Sequence, residues 1–156
     1  MSDSRFRRYA LVQCQVFDHQ PYGLLVQTGD GQRGFVDSGD IADEPVSPDR
    51  WPRIGESLPC VVMGYARDGR VRANSRPSYV AFIGATTDPE LAISNWIRIR
   101  DDGFRDPAER ATFFGSPAAA PTLRWALRQF AGSVDRARAA EILADAPEDL
   151  ARAVRQ

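Results

Sequence analysis

The chain has 156 residues, 43% of them apolar and 26% charged, with a formal net charge of −1. This is ordinary globular composition: a core can form, and no internal repeat or low-complexity tract interrupts it. No stretch approaches ~18 consecutive apolar residues, which excludes a membrane-spanning helix, and the near-neutral charge excludes the broad basic footprint of a general nucleic-acid binder.

Met1 to Arg8 is polar and basic, without the apolar run of a secretory signal, so the expectation is a cytoplasmic protein. From Leu11 to Val16 apolar and polar residues alternate: Val12, Cys14 and Val16 share one face and Gln13 and Gln15 the other. A period of two marks a half-buried strand. The turn-rich segment Asp18-His19-Gln20-Pro21-Tyr22-Gly23 leads to a second strand at Leu24 to Gln27, closed by Thr28-Gly29-Asp30-Gly31. A Gly-Asp-Gly cluster between two apolar runs is hairpin chemistry. Gly34-Phe35-Val36 is a short third strand. A long connection rich in Pro, Asp and Ser follows, with Trp51 and Ile54 as expected anchors. The fourth strand is read at Leu58 to Tyr65. After the turn Arg67-Asp68-Gly69, the fifth runs from Arg70 to Asn74, with Arg70, Arg72 and Asn74 on one face and Val71 and Ala73 on the other. Five short strands at this spacing predict a small barrel over residues 9–77.

Beyond Pro77 the pattern changes, and residues 78–156 read as a helical extension or subdomain, making the chain α+β overall. Tyr79 to Ile83 is apolar and fits either a further strand or a packed connector. Asp88-Pro89 and Asp106-Pro107 are two helix starts of the same kind, a capping carboxylate followed by Pro at the first position. The first of these helices is expected to run to about Arg100 and the second to end near Gly115. Leu123, Leu127 and Phe130 recur at helical spacing before Gly132; Ser133 caps a helix carrying Ile142 and Leu143; Pro147 opens the last, with Leu150 and Val154. The aromatic residues Trp96, Phe104, Phe113, Phe114, Trp125 and Phe130 read mainly as core. Any that the helices leave uncovered would form a protein-binding or homodimerising surface.

The order Tyr22-Gly23-Leu24-Leu25-Val26, Gly34-Phe35-Val36, Gly55 and Arg67-Asp68-Gly69-Arg70-Val71-Arg72 resembles the RNA-binding domain family of ribosomal protein S-one. The resemblance spans residues 11–76 and implies a five-stranded OB-fold barrel; it does not reach the helical region. It also implies an RNA surface made of aromatics on the second strand, a His after the third, and an Asp and an Arg around the final turn. Tyr22 occupies the first aromatic position and Arg70 the basic one. Leu25 stands at the second aromatic position, Asp37 in place of the His and Ala66 in place of the Asp. Phe35 offers a further ring, although alternation leaves its face unresolved, and Arg33 and Arg72 offer replacement charge.

Each candidate has a plainer reading beside the functional one. Tyr22 is either a stacking platform or a half-buried barrel aromatic. Arg70 and Arg72 are either binding residues or a solvated face beside Asp68. All basic residues are Arg, as the base composition of a GC-rich bacterial genome would produce. Arg nonetheless grips phosphate bidentately and stacks on bases. Asp37, Asp40, Asp43 and Glu44 are expected to be solvated loop acids rather than a cation site, their spacing fitting no EF-hand. Cys14 and Cys60 lack CxxC spacing and, with His19 the only histidine, give no zinc signature. They read as small buried hydrophobes, with a redox pair as the minor alternative. His19 reads as a turn residue without a catalytic partner.

Two functions follow. The first is a non-catalytic protein, without cofactor or metal, that binds single-stranded RNA or another single-stranded nucleic acid through Tyr22, Phe35, Arg33, Arg70 and Arg72. The second is a protein-interaction module, an adaptor or immunity-type inhibitor, whose barrel has lost RNA binding.

Overall fold

The structure is a computed structural model and describes residues 5–156; the start of the Met1 to Arg8 stretch lies outside the described residues. Five strands form a closed barrel in the order β1-β2-β3-β5-β4: β1 Leu11–Gln20, β2 Gly23–Thr28, β3 Arg33–Asp37, β4 Ser57–Tyr65 and β5 Val71–Asn74. Neighbours are antiparallel except β3 and β5, whose parallel pairing closes the cylinder. Closure leaves no open edge to recruit a stray strand. The inward-facing residues Cys14, Val16, Leu24, Val26, Val36, Cys60, Val62 and Val71 form its dry interior, as alternation along each strand requires. The expected OB barrel is therefore the fold of the amino-terminal region.

Two glycines of the sequence pattern let strands approach. A Cβ on Gly23, whose φ is +152°, would sit 2.0 Å from the Val36 carbonyl oxygen. One on Gly34 would lie 2.8 Å from the Val71 carbonyl oxygen, at the parallel seam. Only glycine fits such contacts.

β1 extends four residues beyond the alternating run. Its pairing with β2 shifts between Val16 and Asp18, leaving Phe17 as an extra residue, so the period of two breaks while the ladder continues. His19 consequently lies in the strand rather than in a turn. One ring nitrogen, Nε2, is 2.7 Å from the Pro52 carbonyl oxygen, and the ring packs edge-on against Trp51 at 5.8 Å. Trp51 is buried and anchors the long β3–β4 connection as expected. Ile54 is exposed, and Ile41 supplies the second anchor instead.

That connection is also fastened at its other end. Ser75 donates from its backbone N–H to the Asp40 carbonyl (2.9 Å) and from its hydroxyl to the Ile41 carbonyl (3.0 Å). Asp43 accepts from the backbone N–H of Ser78 at 3.1 Å and from its hydroxyl, at the start of helix α1, Pro77–Gly84. The apolar run at Tyr79 to Ile83 is thus helical. Its first backbone donor, the Ser78 N–H, is satisfied by a carboxylate far away in sequence. Asn74 is buried and accepts from the Arg76 N–H (3.0 Å), so it does not share the exposed face of Arg72. The thiols of Cys14 and Cys60 are free and buried. Hydrogen bonding to Cys14, then burial, holds the Cys60 thiol well above the usual range and so protonated.

One compact unit of the chain ends at Ile83 and the other begins at Gly84. The second contains α2 Pro89–Asp101, α3 Pro107–Phe114, α4 Ala119–Leu127, α5 Val134–Ala144 and α6 Glu148–Arg155. Asp88 accepts from Leu91 N–H (3.1 Å), Asp106 from Ala108 N–H (2.8 Å) and Ser133 from Arg136 N–H (3.3 Å), with Pro89 and Pro107 in the first turns. These are the starts the sequence announces. Helix α4 packs against α2, α5 and α6, and the core comprises Ile99, Phe104, Phe113, Leu123, Ala126 and Ile142 among others. Trp96 donates from Nε1 to Asp135 (3.0 Å) and meets Trp125 edge-on at 5.6 Å. Phe130 departs from the expectation: α4 stops at Leu127, and the ring is 77% exposed. Among the described residues no helix is long and apolar enough to cross a membrane.

Candidate nucleic-acid interface

Register places one row of residues across the outside of the barrel. Asp18 pairs with Leu25, Leu25 with Phe35, and Phe35 with Arg72. Paired residues point to the same side of a sheet. The face of Phe35 is therefore outward: its ring is half-buried on the surface while its neighbours Gly34 and Val36 are buried.

Arg70 lies just before β5, where the turn 67–69 returns the chain. Its guanidinium is 4.8 Å from the Phe35 ring centroid, within cation–π range, and Arg72 reaches the same ring at 6.0 Å. Asp68 steadies Arg70 twice, accepting its backbone N–H at 3.0 Å and its Nε–H at 2.8 Å. The backbone N–H of Arg70 chiefly holds the Asp68 carboxyl below the usual carboxylate range. In return, the hydrogen bond to Asp68 raises the Arg70 guanidinium, with the Tyr22 hydroxyl as a further contributor. Tyr22 is therefore next to Arg70, with its side chain half in solvent (52% exposed). Tyr22, Phe35, Arg70 and Arg72 converge on one patch.

Arg33 stands beyond it, at the Gln27 end of the β2–β3 ladder, with its guanidinium 4.2 Å from the ring centroid of Phe17. Phe17 is missing from the sequence-based set. The signal for it is the lapse in alternation at Val16-Phe17-Asp18, where two successive residues break the period. Ring and charge thus occur as pairs, Phe17 with Arg33 and Phe35 with Arg70. Each pair offers a flat apolar surface beside a planar cation, the combination that stacks a base and holds its phosphate.

The departures from the resembled pattern are on this face too. Leu25 is half-buried between Asp18 and Phe35, and Asp37 pairs with Gly23 at the end of β3. Ala66 forms the base of the final turn, its N–H bonded to the Arg70 carbonyl at 2.8 Å. The acidic cluster is divided. Asp43 is engaged at α1, while burial, then Asp37, pushes the Asp40 carboxyl above its usual value. Among the described residues no group of three or more His, Cys, Asp or Glu is placed to hold a metal ion.

No protein-family model and no curated protein sequence matches the chain. Among solved structures it is similar to GSP13 from Bacillus subtilis, at 17% identity and a TM-score of 0.43, over 48% of this chain and 59% of that one. A chain of the a/eIF2alpha-aDim2p-rRNA complex from Pyrococcus horikoshii aligns with 97% of this chain and 94% of its own length, at 16% identity and a TM-score of 0.45. The intact alpha subunit of aIF2 from Pyrococcus abyssi aligns over 98% of this chain and 61% of that one, also at 16% identity and a TM-score of 0.45. The present chain thus spans less than two thirds of the GSP13 and Pyrococcus abyssi chains. The assignment of the barrel rests on its own strand order and closure.

Proposed function

We propose that the protein binds RNA, or another single-stranded nucleic acid, on the outer barrel face and catalyses no reaction on it. The observation that carries this reading is the Arg70 guanidinium, held by Asp68, lying over the outward Phe35 ring, with the half-exposed Tyr22 nearby. Base stacking on such rings is sequence-tolerant and is worth about 1–3 kcal/mol per base. Arg72 and the Phe17–Arg33 pair extend the surface along the sheet. The near-neutral total charge then signifies a small number of phosphate contacts rather than none.

The test is a fluorescence-anisotropy titration of a labelled oligouridine at low salt. Binding is expected to weaken at least about tenfold in the Tyr22→Ala, Arg70→Ala double variant, the loss of roughly one stacked base. Three arginine–phosphate contacts on a single strand give a log–log salt slope of about −2. Wild-type affinity in the double variant would overturn the assignment of this face.

The protein-docking reading draws on Leu25 and Asp37, which put an aliphatic and an acidic side chain on the same surface. It is weakened by Asp43, whose carboxylate serves α1 instead of a partner.

A further inference from the structure

The outer face of the barrel carries one side chain whose chemistry the rings and guanidiniums leave unused. Asp18 follows the bulge in β1, and the register shift between Val16 and Asp18 turns it outward, where strict alternation from Val16 would send it into the core. It pairs with Leu25, Leu25 with Phe35, and Phe35 with Arg72. Neighbouring strands lie about 4.8 Å apart, so the backbones of Asp18 and Phe35 are separated by about 10 Å, with Leu25 between them. From one end to the other the row runs carboxylate, aliphatic floor, ring, guanidinium.

The carboxylate is reachable and oriented. Asp18 is only half-buried. Its Oδ1 accepts the His19 backbone N–H at 2.9 Å, and its Oδ2 accepts from Gln20 Nε2 at 3.0 Å. A carboxylate oxygen can accept twice, so each keeps one place for a further donor. Two acceptors are thus held side by side before any ligand arrives, which lowers the cost of using them. A negative charge repels phosphate, and this one stands at the end of the row away from Arg72 and Arg70, where a base edge and not a phosphate would fall.

We infer that Asp18 reads the Watson–Crick edge of guanine, making the barrel face selective for single-stranded RNA that presents guanine rather than uracil. The inference rests on the reading of this face as a nucleic-acid surface and adds to it the base that the surface prefers. Guanine alone among the four bases offers two adjacent donors, N1–H and the exocyclic N2–H, which the two oxygens accept together. Adenine and cytosine present one amino donor beside an acceptor nitrogen. Uracil flanks its N3–H with two carbonyls that repel a carboxylate. With the phosphate at Arg70 and Arg72, the base lies over Leu25 and points its edge at Asp18. Stacking is indifferent to base identity; the edge contact is not.

The test is a fluorescence-anisotropy titration of the full chain with a labelled uridine nonamer whose middle base is uracil, guanine, adenine, cytosine or hypoxanthine. Guanine is expected to bind at least about fivefold more tightly than uracil, the low end for a two-bond base contact. Hypoxanthine, which is guanine without the exocyclic amine, should bind about threefold or more weakly than guanine, as should adenine. Asp18→Asn puts one donor and one acceptor at that place, the complement of uracil, and should bring guanine and uracil within about twofold of each other. Adenine or hypoxanthine bound as tightly as guanine would overturn the inference and leave the face assigned. So would a guanine preference that survives Asp18→Asn. Saturable binding of none of the five probes would overturn the face and the inference together.

Discussion

In the barrel, strands are brought together by leaving atoms out: Gly23 and Gly34 stand where any Cβ would strike a backbone carbonyl. In the helical unit, order comes from added polar groups, with Asp88, Asp106 and Ser133 each satisfying donors at a helix start. The first device is unforgiving, because backbone cannot retreat from backbone, and the second is graded, because water replaces a lost cap. The barrel's candidate patch follows a third rule, since its residues face outward by register alone.

The largest effect is expected from Gly23→Ala. With its Cβ 2.0 Å from the Val36 oxygen, it should destabilise the barrel by on the order of 4 kcal/mol. Urea denaturation followed at the amides of Val26 and Val36, against those of Leu123 and Ile142, would separate the units. Leu123→Ala, at a fully buried position of α4, should cost about 2–4 kcal/mol, in the second set of amides first. If the two sets fall together in both variants, the chain is one cooperative block and the contrast is lost.

Asp43→Ala should cost about 1 kcal/mol by uncapping α1, a graded effect within the unforgiving unit, read as a lower urea midpoint. The smallest effect is expected at Asp40. Burial raises its folded carboxyl above the unfolded value of about 3.9, so the folded protein holds this proton more tightly. Stability from this group is then lost as pH rises through that window. Asp40→Asn should therefore raise the melting temperature at pH 7 and lose the advantage below about pH 4. A variant less stable than wild type at pH 7 would refute the sign.

Much of this architecture could be read from the sequence where the signal is local. The hairpins announce themselves by Gly-Asp-Gly and Arg-Asp-Gly turns, and the helix starts by Asp-Pro. What escaped depends on distant residues. Tyr79 to Ile83 carries no cap of its own, because the carboxylate that starts α1 is Asp43, 35 positions earlier. Phe130 continues a helical spacing, but the helix has already ended at Leu127, so the ring projects into solvent. Within the candidate barrel surface, Tyr22, Phe35, Arg33, Arg70 and Arg72 were nameable from residue type and family pattern. That Phe35 faces outward required the cross-strand register, and Phe17 required the bulge. The stacking of Phe104 on Phe113 left no trace in the sequence, since the two rings meet only through packing.

The unpaired residue of β1 makes one ring separable from the rest of the molecule. Val16 already opposes Val26 and Asp18 opposes Leu25, so excising the single codon for Phe17 would leave each flanking pair aligned and every interior side chain in place. Arg33 would lose its ring, and the barrel would otherwise close as before. A surface of this design can gain or shed a stacking platform in one insertion or deletion, without renegotiating its core.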